Sequence, residues 1–269
     1  MKLLIFCALL ELGTANLLFS TLSQELPRLD YLMPFVEDDV DIDACIVPKL
    51  YSCQARFNLL LNISGNADWT APDVLGSAID GYLLAGVDGL LQVCDARIQF
   101  YQCLGSTYRS CINRMYFLSQ GYTMKASMAY VEIMKELEFT CDGGLLQAIR
   151  SWPCILTVAD QSNGTFYSCL AAFNQSVTAH PDSLCTAAQT LTTCMSAPFL
   201  ASCGDQVGWW ECERVRVSLE LISSCPSLTC SIGSGGSRSF SKGVDLIYRQ
   251  IAEGEDEMEK KRSLSLVNM

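Results

Sequence analysis

Histidine, positive charge and long apolar runs are all scarce in this chain of 269 residues. His180 is the single histidine, which excludes a histidine-rich metal site and a two-histidine acid–base pair. Lysine and arginine together number 18 against 29 acidic residues, and the formal net charge is −11. A surface that follows nucleic-acid phosphates needs the opposite balance. We therefore expect no nucleic-acid partner.

Absent motifs narrow the possible chemistry further. No Gly-x-Ser-x-Gly nucleophile turn occurs, and the acid pair Asp38 and Asp39 lies outside any predicted pocket. His180, Asp182 and Ser183 are neighbours in sequence, but a Ser–His–Asp relay requires residues that converge in space. We predict no catalytic residues, no metal and no cofactor, and hence a protein that is not an enzyme. A histidine-dependent enzyme is the alternative.

The long apolar run that a membrane-spanning helix needs is also missing after the N-terminal segment. A span requires about 20 consecutive apolar residues. The most apolar later stretch, 74–93, contains Asp80 and Asp88. The C-terminus has no hydrophobic tail of the kind that a lipid-anchor signal carries. We expect no transmembrane anchor.

The N-terminus predicts a secretory signal peptide over residues 1–23. Lys2 is followed by a short apolar run that reaches Leu10. Small residues allow cleavage after Ala15 or after Ser23, and both positions remain open; a retained amphipathic helix is the alternative. We therefore predict a secreted, extracellular protein.

Cysteine, in contrast, is abundant. The chain has 15 cysteines, and removal of Cys7 with the leader leaves an even number. An even set in an oxidising compartment indicates a framework of disulfides. The spacings lack Cys-x-x-Cys pairs and nearby histidines, which argues against zinc. The predicted disulfide cysteines are Cys45, Cys53, Cys94, Cys103, Cys111, Cys141, Cys154, Cys169, Cys185, Cys194, Cys203, Cys212, Cys225 and Cys230.

These cysteines belong to an internal repeat. The pattern Tyr-Ser-Cys-x-Ala-x-Phe-Asn occurs at 51–58 and again at 167–174. The six cysteines of the first copy match six cysteines of the second copy in order. This match leaves Cys212 and Cys230 as an extra pair in the second copy. The second and third cysteines are 41 positions apart in the first copy and 16 in the second. We predict two related modules, each closing its own disulfides, and a helix that only the first retains.

Apolar periodicity predicts helices throughout. Apolar residues recur at helical spacing between Val74 and Leu91, after a start at Pro72. Residues 124–139 show the same period, with charged residues on the opposite face and a glycine stop at 142–144. Sustained alternation of the kind that strands show is absent. We predict an all-α, disulfide-stapled fold made of two cysteine-rich helical modules.

Three sequons predict N-glycosylation at Asn62, Asn163 and Asn174.

Composition divides the chain into segments. The predicted segments are a signal peptide (1–23), an acidic flexible segment (24–44), module 1 (45–144), a connector (145–153), module 2 (154–230), a Gly/Ser linker (231–243) and a charged, partly helical tail (244–269).

The repeat unit resembles a family of nematode secreted cysteine-rich helical domains, the domain of unknown function numbered nineteen in its series. The resemblance rests on the Cys94-x8-Cys103-Leu-Gly-Ser pattern, on the following Cys111, and on the helix that ends at Cys141-Asp-Gly-Gly. It covers residues 45–144, with a second, degenerate copy from 154 to 230. The resemblance implies secretion and a helical disulfide fold, and it implies no activity or catalytic residues.

Function follows as a hypothesis with alternatives. The leading one is a secreted, N-glycosylated, non-catalytic binding or structural module whose partner is an unidentified extracellular protein or a small hydrophobic ligand. A carrier of a hydrophobic ligand or lipid is the first alternative, with Trp209-Trp210 and Met124, Met128 and Met134 as candidate groove residues. An extracellular-matrix or proteoglycan core protein is the second, from Ser234-Gly235. Lys260–Arg262 is a candidate processing site or a charged helix end.

Overall fold

A computed structural model describes residues 40–63, 67–222, 225 and 227–231. Within these ranges the regular elements are helical and no β-strand occurs, so the predicted all-α fold is confirmed. The α-helices of this part are α1 (Val47–Leu60), α2 (Pro72–Leu84), α3 (Val87–Leu104), α4 (Tyr108–Cys111), α5 (Arg114–Ser119), α6 (Met124–Glu138), α7 (Leu145–Gln161), α8 (Asn163–Ala179), α9 (Leu184–Cys203) and α10 (Asp205–Ile222).

Several predicted features lie outside the described residues. These are the signal peptide, most of the acidic segment with Asp38 and Asp39, the linker after Ser231 with Ser234, and the charged tail with Lys260–Arg262. The described end of the acidic segment forms a short 3-10 turn, Ile42–Ala44, whose preceding Asp41 accepts a hydrogen bond from the Asp43 backbone N–H at 3.1 Å.

Seven disulfides hold the described helices together and use all the predicted cysteines. In each copy the first cysteine pairs with the fifth, the second with the fourth and the third with the sixth, and none of the seven joins one copy to the other. The pairs are Cys45–Cys111, Cys53–Cys103 and Cys94–Cys141 in the first copy, and Cys154–Cys203, Cys169–Cys194, Cys185–Cys225 and the extra Cys212–Cys230 in the second.

The helix that only the first copy retains is α2. It lies between Cys53 and Cys94, where the second copy has only the 3-10 turn Pro181–Ser183 between α8 and α9. The apolar periodicity of the sequence extends from Val74 to Leu91, but α2 ends at Leu84. The helix ends there because Gly86 turns the chain with a left-handed φ of 103°. The chain then starts α3 immediately beside the end of α2.

The predicted connector 145–153 is helical. It forms the first half of α7, which continues through Pro153 to Gln161. Ala148, Trp152 and Ile155 follow helical spacing and are completely buried, so this segment contributes to the core that both copies share. The glycine stop before it becomes a single π-helical turn, Phe139–Gly143, followed directly by α7.

The two copies pack as one body. The Trp152 indole N–H donates to the Leu83 carbonyl of α2 at 2.9 Å. Its ring also lies perpendicular to that of Trp210 in α10, with centroids 6.1 Å apart. Helices α6 and α10, one from each copy, pack against each other, and buried residues from both copies form a continuous hydrophobic cluster. None of the described helices is both long enough and apolar enough to cross a membrane.

Candidate functional site

A groove between α8 and α9 is the candidate binding site. The two helices form an antiparallel hairpin around the 3-10 turn Pro181–Ser183, and the Cys169–Cys194 disulfide joins them. The groove has a volume of about 250 Å³ and is lined by this disulfide, by Phe173 and Leu191, and by alanine, serine and threonine side chains. None of the described residues that line it is charged.

Several residues that line the groove are smaller than the residues at the matching positions of the first copy. Aligning Cys53 with Cys169 and Cys103 with Cys194 places Ala172 where α1 has Arg56, and Thr190 where α3 has Gln99. In the first copy the Arg56 guanidinium donates to Gln99 Oε1 at 2.9 Å, and this pair bridges the two helices. In the second copy neither residue can span the gap.

Two further positions become smaller in the same alignment. Ser176 replaces Leu60, and Leu191 replaces the buried Phe100. Close packing of protein interiors leaves few empty volumes. The small residues on the two facing helices therefore distinguish the second copy from the first, and the shared disulfide framework does not require them.

Two of the three predicted glycosylation sites lie on this hairpin. Asn163 and Asn174 are both on α8 and both partly buried; Asn62 is exposed, directly after α1, with a left-handed φ of 46°. Asn174 aligns with Asn58, which is buried and donates to the Ala67 carbonyl at 2.9 Å. The second copy lacks the segment that carries Ala67, so Asn174 is open to solvent where Asn58 is not.

The methionine and tryptophan residues lie in the core, as their helical spacing predicted, and the alternative groove is not formed. Met128, Met134 and Trp210 are completely buried in the core, Trp209 is almost completely buried, and Met124 packs against the same core from its edge. Helical spacing placed these side chains on the inner face of their helices. They stabilise the fold, and a hydrophobic ligand would have to bind elsewhere.

The neighbouring residues His180, Asp182 and Ser183 do not form a relay. They lie in the exposed turn between α8 and α9, where the Ser183 hydroxyl donates to the His180 backbone carbonyl at 2.7 Å. This hydrogen bond closes the turn, and it keeps the Ser183 hydroxyl proton directed at the backbone carbonyl. In the described part of the chain, no group of three or more histidine, cysteine or acidic residues is arranged to hold a metal ion.

A buried charge cluster joins the two copies, and sequence reasoning missed it. Arg214 of α10 donates to Glu136 of α6 at 2.8 Å and makes a bidentate contact with Glu211 at 2.9 and 2.8 Å. The Ser218 hydroxyl also donates to Glu136. Glu132 and Glu136 were expected on the exposed face of α6. That expectation is wrong for these two residues, because both are buried, and α10 supplies the arginine that compensates Glu136.

The pKa values of the ionisable groups in and near this cluster differ from their ordinary values. Burial raises the pKa of Glu136, and the Arg214 charge offsets this only in part. Burial alone would lower the pKa of Arg214, but Glu211 and Glu136 outweigh it and hold that pKa above its ordinary value. Burial and the nearby Glu136 raise the pKa of Asp80 to about 7, against the opposing effect of Arg214. One Asp80 carboxylate oxygen is buried with no hydrogen-bond partner in the described structure.

Replacement of Asp80 by asparagine should stabilise the protein, increasingly so at alkaline pH. The pKa of Asp80 is raised from 3.8 to about 7 by folding, so ionisation of this carboxyl opposes folding. The penalty is absent below about pH 4, grows as the pH rises and is complete above the folded pKa. We expect a gain on the order of 4 kcal/mol at pH 8 and almost none at pH 4.

Urea titrations of the oxidised protein between pH 4 and pH 9 measure this gain. Asp73→Asn, at an exposed position of the same helix, is the matched control and should not stabilise the protein at alkaline pH. A constant offset between Asp80→Asn and the parent protein across this range would contradict the assignment.

Comparisons with known proteins do not extend this description. A scan against protein-family models, a search of curated proteins and a search of solved structures each find no match to this chain. The fold and the groove therefore define the class by themselves: an all-α protein built from two disulfide-stapled copies, with a neutral groove in the second. The residues of that groove carry the functional proposal.

Proposed function

We propose that this chain is a secreted, N-glycosylated, non-catalytic binding protein, and that the α8–α9 groove is its ligand site. The observation that carries the proposal is the contrast between the copies, because the same helix pair is bridged by Arg56 and Gln99 in one and open in the other. Apolar grooves with a few polar groups at their edge are the usual form of ligand sites.

The positions of the sequons support this assignment. Asn163 and Asn174 are eleven residues apart, about three helical turns, and so lie on one face of α8. Asn174 is two residues from both Ala172 and Ser176, which places its side chain roughly 200° around the helix from theirs. Glycans on Asn163 and Asn174 would therefore leave the groove accessible.

The disulfide framework supports the extracellular part of the proposal. Seven disulfides in the described part of one chain suit an oxidising compartment and are rare in proteins of the cytosol. The shared pairing order also agrees with a tandem of the nematode secreted cysteine-rich helical domain. That family assignment stays a prediction, as does the proteoglycan alternative, whose Ser234 lies outside the described residues.

A transfer of the first copy's bridge into the second tests the proposed site. Ala172→Arg combined with Thr190→Gln recreates the Arg56–Gln99 pair, and it should weaken binding of the neutral probe 1-N-phenylnaphthylamine at least tenfold. The reason is steric, since the new pair occupies the space that the probe needs. The measurement is a fluorescence titration of the glycosylated, oxidised protein.

The matched control places the same new side chains outside the groove. Ala171→Arg with Thr193→Gln changes exposed positions on the same two helices and should leave the probe affinity unchanged. Equal affinities for all three proteins, with unchanged helical circular dichroism, would show that the groove is not the site.

A further inference from the structure

The groove lies in a stretch of chain without positive charge. From residue 151 to residue 213 there is neither a lysine nor an arginine, although acidic residues occur at intervals. This stretch includes all of α8 and α9, and Asp182 directly precedes the lining residue Ser183. An ionised carboxylate or phosphate would therefore enter the groove without a cationic partner on either helix, and burial of an unpaired charge is costly.

Helix dipoles do not supply the missing positive charge. The positive N-terminal end of α9 points toward the turn end of the groove, but the negative C-terminal end of α8 lies at the same end. Because the two helices are antiparallel, their fields there oppose each other. The groove is electrostatically neutral at best and slightly unfavourable for an anion.

Two of the four hydroxyls that line the groove, those of Ser183 and Thr190, are left to accept hydrogen bonds. The Ser183 hydroxyl donates its proton to the His180 carbonyl at 2.7 Å, and the Thr190 hydroxyl donates to the Thr186 carbonyl at 2.9 Å. A hydroxyl has one proton and two lone pairs, so both oxygens have only acceptor capacity left for a ligand. A ligand that carries an O–H donor suits them, whereas a carboxylate has only acceptors.

The volume limits the size of the occupant. A cavity of about 150 Å³ binds benzene in another protein, so the roughly 250 Å³ of this groove suits about ten carbon atoms, which is the size of a decyl chain or of the naphthyl ring of 1-N-phenylnaphthylamine. From charge, hydrogen bonding and volume together, we infer that the groove takes an uncharged single-chain amphiphile with a hydroxyl head group, that is, a medium-chain alcohol or the hydroxyl end of a longer neutral lipid. The inference rests on the proposed function, since it names the ligand class of the same site.

A series with one chain length tests the inference. At pH 8, 1-decanol, decyl methyl ether and decanoate carry a neutral donor, a neutral acceptor and an anion on the same chain, because a carboxylic acid is fully ionised there. Each compound is titrated against the protein loaded with 1-N-phenylnaphthylamine. We expect 1-decanol to displace the probe at a concentration at least tenfold below that of decanoate, with the ether between them.

The outcomes separate the two levels of the proposal. Decanoate that displaces the probe as well as 1-decanol, or an ether equal to the alcohol, overturns the inferred ligand class. Failure of all three compounds, with probe binding still sensitive to Ala172→Arg/Thr190→Gln, also overturns the ligand class but keeps the groove as the site. Probe binding that is insensitive to those substitutions overturns the proposed site itself.

Discussion

Replacement of Arg214 by leucine is expected to lower the free energy of unfolding by about 3–5 kcal/mol. Arg214 is buried and compensates two buried carboxylates, Glu136 at 2.8 Å and Glu211 through two hydrogen bonds. Without the guanidinium both acids remain in the interface between α6 and α10 with no opposing charge. They must then be ionised at high cost or take up protons, and either change favours the unfolded chain.

The direction of the pH dependence follows from the same contacts. Burial already raises the pKa of Glu136 despite the presence of Arg214. Loss of Arg214 raises that pKa further, so the variant should regain stability as the pH falls and the acids become protonated. Urea unfolding with the disulfides intact, at several pH values, measures both the loss and its partial recovery.

A charge-free version of the cluster is the matched control. Glu136→Gln and Glu211→Gln, combined with Arg214→Leu, remove the uncompensated charges, and replacement of a whole buried ion cluster is often close to neutral. We expect this triple variant to recover most of the loss. A triple variant as unstable as Arg214→Leu alone would mean that packing around Arg214, and not its charge, holds the two copies together.

Replacement of Gly89 by alanine is expected to cost about 3 kcal/mol. A Cβ atom at this position would lie 1.8 Å from the Tyr82 carbonyl oxygen, which belongs to the backbone of α2. A backbone atom cannot move aside as a flexible side chain can, so α2 and α3 would have to separate. The corner between the two helices would open and expose part of the buried contact.

Gly81 provides the control for this prediction. It lies in the middle of α2, is exposed, and has open space where a Cβ would stand. Gly81→Ala should therefore stabilise the protein by about 0.5–1 kcal/mol through helix propensity alone. Thermal unfolding of both variants gives the comparison, and shifts in opposite directions, with the larger one for Gly89→Ala, would support the close contact. A Gly89→Ala protein as stable as the parent would contradict the α2–α3 geometry.

The cysteine pattern and apolar periodicity predicted much of the fold. The order of cysteines in the repeat gave the correspondence between copies, and the structure pairs them in the same order in each. Residues 124–139 became α6 with a difference of one residue at its end. Local sequence holds this information, because the spacing of apolar residues determines which face of a helix becomes buried.

The charge cluster was not predicted, because periodicity does not reveal what covers the polar face of a helix. Glu136 appeared exposed by its position on α6, and its partner Arg214 is 78 residues away. The sequence feature that could have indicated the cluster is the run 209–216. In this run two tryptophans are followed by acidic residues and arginines, and the charged residues are not confined to one face of the helix. The mixture indicates a buried, ion-paired helix.

The groove was predictable from the repeat, although periodicity alone does not indicate it. Once the cysteines are aligned, Arg56 stands opposite Ala172 and Gln99 opposite Thr190. The sequence does not give the distance between the paired helices. The Arg56–Gln99 hydrogen bond shows that in the first copy these two side chains reach across from one helix to the other. Methionine and tryptophan were poorer guides, since their size favours burial in the core.

The location of a bound ligand decides most directly whether the α8–α9 groove is the binding site. A 1-decanol analogue with a diazirine in its chain can be cross-linked to the glycosylated, oxidised protein by light, and the labelled peptides can then be mapped. We predict labels on residues 169–176 and 183–194, and their loss in Ala172→Arg/Thr190→Gln. Labels concentrated on another apolar surface, such as the exposed Leu59 and Leu60 at the end of α1, would contradict the proposed site.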